Sequence, residues 1–144
     1  MFGKKASVVR HVRNGKKEYA IMARILVVDD DDQVRTLLQH MLERLGHEVV
    51  AATNGNEALR LYKQAPTDMI FMDLIMPGKE GIETITDFRR EFPDAKIVAM
   101  SGGGRMGPEN YLDLAKKLGA QRTMSKPFTF GQVQEMVEKI LEKK

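Results

Sequence analysis

Five short apolar runs, each followed by an amphipathic stretch, fill the chain from residue 24 onward. "RILVV" (24–28) is continuous, hydrophobic and rich in β-branched residues, the composition of a strand covered on both faces. "HEVVAA" (47–52), "DMIFMD" (68–73), "KIVAMS" (96–101) and the more polar "AQRTMS" (120–125) are the next four candidates. Between them lie helical patterns. Val34, Leu37, Leu38, Met41, Leu42 and Leu45 recur at helical spacing before Gly46, and "NEALRLYKQA" (56–65) runs into Pro66. Ile82, Ile85 and Phe88 mark a third helix closed by Pro93, and a short fourth covers about 111–118 before Gly119. Phe130, Val133, Met136, Val137, Ile140 and Leu141 share one face of the last. Strand and helix alternating in this way predict an α/β fold: a doubly wound, five-stranded parallel sheet with helices on both faces.

A chain of 144 residues suits one such domain. No cysteine is present, which excludes disulfides and thiolate zinc sites and suits a reducing, cytoplasmic setting. No apolar run approaches the roughly 20 residues of a membrane span, so no membrane partner is expected. Charge divides the chain. Residues 1–21 carry Lys4, Lys5, Arg10, Arg13, Lys16 and Lys17 against Glu18, a local +5; the whole chain carries +3, which leaves −2 from Met22 onward. The basic stretch lacks the apolar core of a secretory signal. It reads as a disordered or artificially appended tail before a domain spanning 22–144. Nucleic-acid binding would rest on that tail alone and is not expected.

The most unusual local feature is "VVDDDD" (27–32), four like charges at the end of the most apolar strand. Asp31 and Asp32 read as helix N-terminal residues, favoured by capping and by the helix dipole. Asp29 and Asp30 end the first strand of the sheet, and Asp73 ends the third. In the common flavodoxin-like order 2-1-3-4-5, these two strands are neighbours where the winding reverses, and ligands bind beyond their carboxyl ends. Three carboxylates would then converge. Two charges about 5 Å apart at an effective dielectric of about 20 repel by roughly 3 kcal/mol. A divalent cation relieves this, and oxygen ligands without His or Cys select a hard ion: Mg²⁺, Mn²⁺ or Ca²⁺. Gly102, Gly103 and Gly104 follow the fourth strand without Walker-loop spacing and read as a loop able to rearrange.

With these residues in place, "LVVDD" (26–30), "MDLIMPGKEG" (72–81), "VAMSG" (98–102) and "SKPF" (125–128) together resemble the receiver domain of two-component response regulators. The four motifs occur in order, each at or near a strand end. The resemblance implies that Asp73 is the phosphoacceptor, served by Ser101, which hydrogen-bonds a phosphoryl oxygen, and Lys126, which neutralises another. It implies Mg²⁺, or Mn²⁺, held by Asp30 directly, by Asp29 mainly through water, by Asp73, and by the backbone carbonyl of Ile75. It also favours a cis bond before Pro127. Met76-Pro77-Gly78 reads first as a turn and, by resemblance, as the loop shaping the metal site.

Two positions shape the expected behaviour. Thr123 stands where many members of that family carry Tyr or Phe, so signal readout through a turning aromatic ring is in question. Ile75 sits two residues past Asp73 and places an apolar side chain near the path of attacking water, which should slow loss of the phosphoryl group. The expected function is a signalling receiver phosphorylated by a sensor histidine kinase or phosphotransfer protein, which changes a surface read by a downstream protein. It would be no enzyme beyond catalysing its own phosphorylation and dephosphorylation. The alternative is a binding module that keeps the fold without taking up phosphate. An aspartyl-phosphate phosphatase would need an acid where Ile75 stands.

Overall fold

The computed structural model describes residues 7–13, 16–75, 81–102 and 108–141; for 7–21 and 108–111 only the backbone is described. Two strands, β1 (Ser7–Arg13) and β2 (Lys16–Met22), pair antiparallel, with Arg13 opposite Lys16 and Ser7 opposite Met22. This departs from the disordered tail expected of residues 1–21. Val8, Val9, Val12, Tyr19 and Ile21 are strand formers, and Asn14-Gly15 between the strands is the strongest short hairpin signal a sequence offers.

Five further strands form one parallel sheet: β3 (Arg24–Val28), β4 (Glu48–Ala52), β5 (Met69–Asp73), β6 (Ile97–Ser101) and β7 (Arg122–Ser125). Their order is β4-β3-β5-β6-β7, which is 2-1-3-4-5 among the strands of this sheet. The helices between them are α1 (Asp32–Arg44), α2 (Gly55–Gln64), α3 (Gly81–Glu91), α4 (Pro108–Leu118) and α5 (Phe130–Leu141). The doubly wound α/β fold read from the sequence is therefore the fold of the protein. The glycine stops are also in place: Gly46 and Gly119 adopt φ of 95° and 125°, the left-handed region where a Cβ is strained.

Period-two alternation within each strand builds two cores. Leu26, Val28, Ile70, Met72, Ile97 and Ala99 face α2, α3 and α4, where they meet Ala58, Tyr62, Ile85, Phe88 and Ala115. Ile25, Val27, Met69, Phe71, Val98 and Met100 face the other way, toward Leu38 and Leu42 of α1 and Val133, Val137 and Ile140 of α5. Burying each such large side chain contributes about 1.5–3 kcal/mol, which locks the register of the central strands. No described helix is long and apolar enough to cross a membrane.

Register fixes the functional end. Val28 lies beside Met72, so Asp29 and Asp73 leave adjacent strands at the same level. Ser101 closes β6 next to Ser125 of β7, and the backbone N–H of Lys126 donates to the Ser101 carbonyl at 3.0 Å. Four segments thus deliver polar residues to one edge of the sheet. Met76-Pro77-Gly78, Gly103 and Gly104 lie outside the described residues.

Candidate functional site

The four aspartates after β3 divide into separate tasks. Asp29 is fully buried, and each of its polar atoms has a partner. Its N–H donates to the Ala52 carbonyl at 3.2 Å, its carbonyl accepts from Arg35 Nη1 at 2.8 Å, its Oδ1 accepts from the Asp31 N–H at 2.9 Å, and its Oδ2 accepts from Lys126 Nζ at 2.8 Å. Asp30 is exposed and points its carboxylate into the same space. Asp31 is the N-cap of α1, accepting from the N–H groups of Gln33 and Val34, and Asp32 occupies the first helical turn. The repulsion of four adjacent charges is thus split between a pocket and a helix end.

Asp73 is almost wholly buried at the end of β5. One carboxylate oxygen from each of Asp29, Asp30 and Asp73 lies within 4.8 Å of the others. Lys126 Nζ stands 3.2 Å from Asp73 Oδ1. Burial, then the charge of Asp29, pushes the Asp73 carboxyl up to about 6, against the opposing pull of Lys126 and of a hydrogen bond from the Ile75 backbone. Lys126 shares one charge between two carboxylates and does not offset both. Burial pulls its own ammonium down, but the hydrogen bond to Asp29 and the charges of Asp73 and Asp29 prevail, and the net shift is upward. Among the described residues, the pocket remains short of positive charge. An all-oxygen donor set in that state suits a hard divalent cation.

These groups line a cleft of about 550 Å³. Ile75 and Gly102 line it too, and so does an apolar margin of Val34, Leu37 and Phe128. Leu37 is 48% exposed and Ile75 38% exposed. Ser101 is fully buried at the adjoining strand end, and the wall at that corner is formed by Gly102. The Lys126–Pro127 bond is cis, the form the resemblance favoured.

The structure thus brings Asp29, Asp30, Asp73, Ile75 and Lys126 to one cleft, with Ser101 beside it in the sheet. Arg35 and Gly81 escaped the sequence reading. Arg35 had a signal, its spacing three residues after Asp32 on the helix. A Cβ on Gly81 would stand 2.1 Å from the Asp73 carbonyl oxygen and 2.6 Å from the Leu74 Cα, so the glycine lets α3 begin directly beneath the acid.

Residues 25–138 match the family model of the response regulator receiver domain, and the chain belongs to that family. Curated relatives include the chemotaxis protein CheY of Thermotoga maritima, 36% identical over 118 residues that cover 81% of this chain and 96% of that protein. Another is the alkaline phosphatase synthesis transcriptional regulatory protein PhoP of Bacillus subtilis, 36% identical, with 82% of this chain covering 48% of that protein. Among solved structures, the receiver domain of NtrX from Brucella abortus superposes with a TM-score of 0.77 at 27% identity, over 83% of this chain and 99% of that one. CheY4 of Vibrio cholerae gives 0.75 at 29% identity, over 83% and 98%. The chain spans about half of PhoP and about a quarter of the longer NtrX chain. It is a receiver domain of the kind found in two-component signalling.

Proposed function

We propose that this receiver accepts a phosphoryl group on Asp73 from the phosphohistidine of a sensor histidine kinase or phosphotransfer protein. The observation that carries the reading is the meeting of the Asp29, Asp30 and Asp73 carboxylates, with Lys126 at their edge. An Asp73 carboxylate oxygen attacks phosphorus and the P–N bond breaks. The electron pair leaves with the imidazole, which holds or takes up a proton, and an acyl phosphate remains on Asp73. Mg²⁺, or Mn²⁺, bound at this donor set supplies the positive charge that phosphoryl transfer demands. Asp30, Asp29, Asp73 and the Ile75 carbonyl would hold the ion, Asp30 directly and Asp29 mainly through water. Lys126 shifts its ammonium from the two carboxylates onto a phosphoryl oxygen, and the Ser101 hydroxyl hydrogen-bonds another.

The apolar margin of Val34, Leu37, Ile75 and Phe128 supports approach by a protein donor, because a surface pressed over the cleft would cover side chains otherwise left in water. Phosphorylation then draws Ser101 inward, and the surface of α4, β7 and α5 changes for a downstream protein. Thr123 is half-buried in β7, so the change passes through packing at Thr123 and its buried neighbour Met124 rather than through a turning ring. The domain is a switch that acts chemically only on itself. Incubation with acetyl phosphate and Mg²⁺, followed by intact mass, tests the reading. One added phosphoryl group on wild type and none on Asp73→Asn is expected; an unmodified wild type would point instead to a binding module.

A further inference from the structure

The loop between β3 and α1 must hold the Asp29 and Asp30 carboxylates close to Asp73 although all three repel one another. A loop under such repulsion relaxes outward unless its backbone is held. The Asp29 backbone is held at both ends, by its N–H on the Ala52 carbonyl of β4 and by its carbonyl on Arg35. The second contact comes from α1. The Arg35 side chain is 18% exposed and reaches back over the first turn; Nη1 donates to the Asp29 carbonyl at 2.8 Å while Nη2 pairs with the Asp32 carboxylate. A planar fork with donors on two nitrogens can hold two acceptors at once, which an ammonium does less well.

We infer that Arg35 is a positioning residue for the cation site, fixing the Asp29–Asp32 loop so that the carboxylate of Asp30 meets that of Asp73. The inference rests on the proposed phosphoacceptor reading and adds to it a residue that touches neither phosphate nor ion. The simpler role is a surface ion pair between Arg35 and Asp32. Asp32 is 85% exposed, and such a pair is worth little by itself. The two roles differ in which partner matters. The carbonyl of Asp29 survives any substitution at Asp32, and loss of an outer partner of a metal ligand weakens affinity by about 10–100-fold.

The test is titration calorimetry with MgCl₂ on wild type, Arg35→Ala, Arg35→Lys and Asp32→Asn, with circular dichroism to establish that each variant is folded. Amide hydrogen exchange at residues 30 and 31 is followed in parallel in EDTA. Arg35→Ala is expected to bind Mg²⁺ about tenfold more weakly and to exchange faster at 30 and 31 without metal. Arg35→Lys should recover part of both losses, and Asp32→Asn should stay near wild type. Unchanged affinity and exchange in Arg35→Ala would overturn the inference while leaving the phosphoacceptor reading intact. Equal weakening in Asp32→Asn would assign the effect to the surface pair and overturn it too. A wild type that takes up no Mg²⁺ would overturn both readings together.

Discussion

Lys126 Nζ lies 2.8 Å from Asp29 Oδ2, although the two residues are 97 positions apart in the chain. The contact joins the end of the first strand of the parallel sheet to the loop after its last, across β5, which carries Asp73, and β6. Among the described residues, it leaves the pocket with one internal cation for two buried acids. Truncation in Lys126→Ala strands the fully buried Asp29 carboxylate and should cost about 2 kcal/mol at pH 7.5, measured by urea unfolding in EDTA. The Lys126 pKa is raised in the fold, so its contribution is fully present below its ordinary value of 10.5 and is lost only as pH rises through the higher folded value. Mg²⁺ should stabilise the variant more than wild type, since ion and ammonium compete for the same oxygens. Equal stabilisation of the two would contradict that competition.

The charge on Asp73 is a cost where that on Lys126 is a contribution, although both lose stability as pH rises through their raised values. The Asp73 pKa stands at about 6 against an ordinary 3.8, so the native state holds the proton more tightly than the unfolded chain. Stability therefore falls as pH rises from about 4 to 6, and above that window the ionised carboxylate is a standing cost. Asp73→Asn should stabilise the metal-free protein by about 1–2 kcal/mol at pH 7.5, with the gain fading toward pH 4. Thermal melts across that range, with and without Mg²⁺, check both the size and the slope. Saturating Mg²⁺ should narrow the gap by stabilising wild type. A variant less stable than wild type at pH 7.5 would show that Asp73 is not under net repulsion.

Much of this was legible in the residues alone. "RILVV" and "DMIFMD" announce buried parallel strands because they have no polar face, and an acid at the carboxyl end of each marks the sheet edge where ligands gather. β7 was the hardest strand to read. Only Met124 of its four residues is buried, so its pairing with β6 rests on backbone hydrogen bonds more than on apolar pattern. Spacing marks the Arg35 pair with Asp32, but the Arg35 contact with the Asp29 carbonyl was invisible for another reason. Its acceptor is a backbone carbonyl, which every residue carries, so no side-chain pattern marks it. The β1–β2 pairing is marked in the sequence by Asn14-Gly15, although six cations among the first 21 residues favour a solvated tail.

The tasks assigned to neighbouring aspartates can be separated by single substitutions. Asp31→Ala removes the α1 N-cap and should cost about 1 kcal/mol of stability while Mg²⁺ affinity stays close to wild type. Asp30→Asn should do the reverse, since its exposed side chain supports no element yet supplies a carboxylate to the cluster. Paired urea unfolding and calorimetry on both variants test the division. Similar losses of affinity in the two would mean that the cap and the cation site are one unit.

Gly81 offers a test of how closely α3 must approach the acid. A methyl group there meets backbone on β5, the Asp73 carbonyl and the Leu74 Cα, and backbone cannot swing aside as a long side chain can. The Gly81 N–H also donates to the Leu74 carbonyl at 3.1 Å. Gly81→Ala should therefore destabilise by about 1–3 kcal/mol and slow phosphorylation at Asp73, although alanine is the better helix former. A stabilised variant, as propensity alone would give, would show that the strand end yields easily.

Ile75 tests the lifetime of the modified state. Its side chain lines the cleft and is 38% exposed; on the proposed phosphoacceptor reading it would border the approach of water to an acyl phosphate on Asp73. An apolar group there cannot orient a water molecule by hydrogen bonding, whereas an amide can. Loading Ile75→Asn and wild type with acetyl phosphate, removing the donor and following intact mass measures phosphoryl loss directly. The variant is expected to lose the group several-fold faster while taking it up normally. If its loss is unchanged or slower, the lifetime is set elsewhere, by the hydrogen bonds of Lys126 and Ser101 rather than by the wall that Ile75 forms.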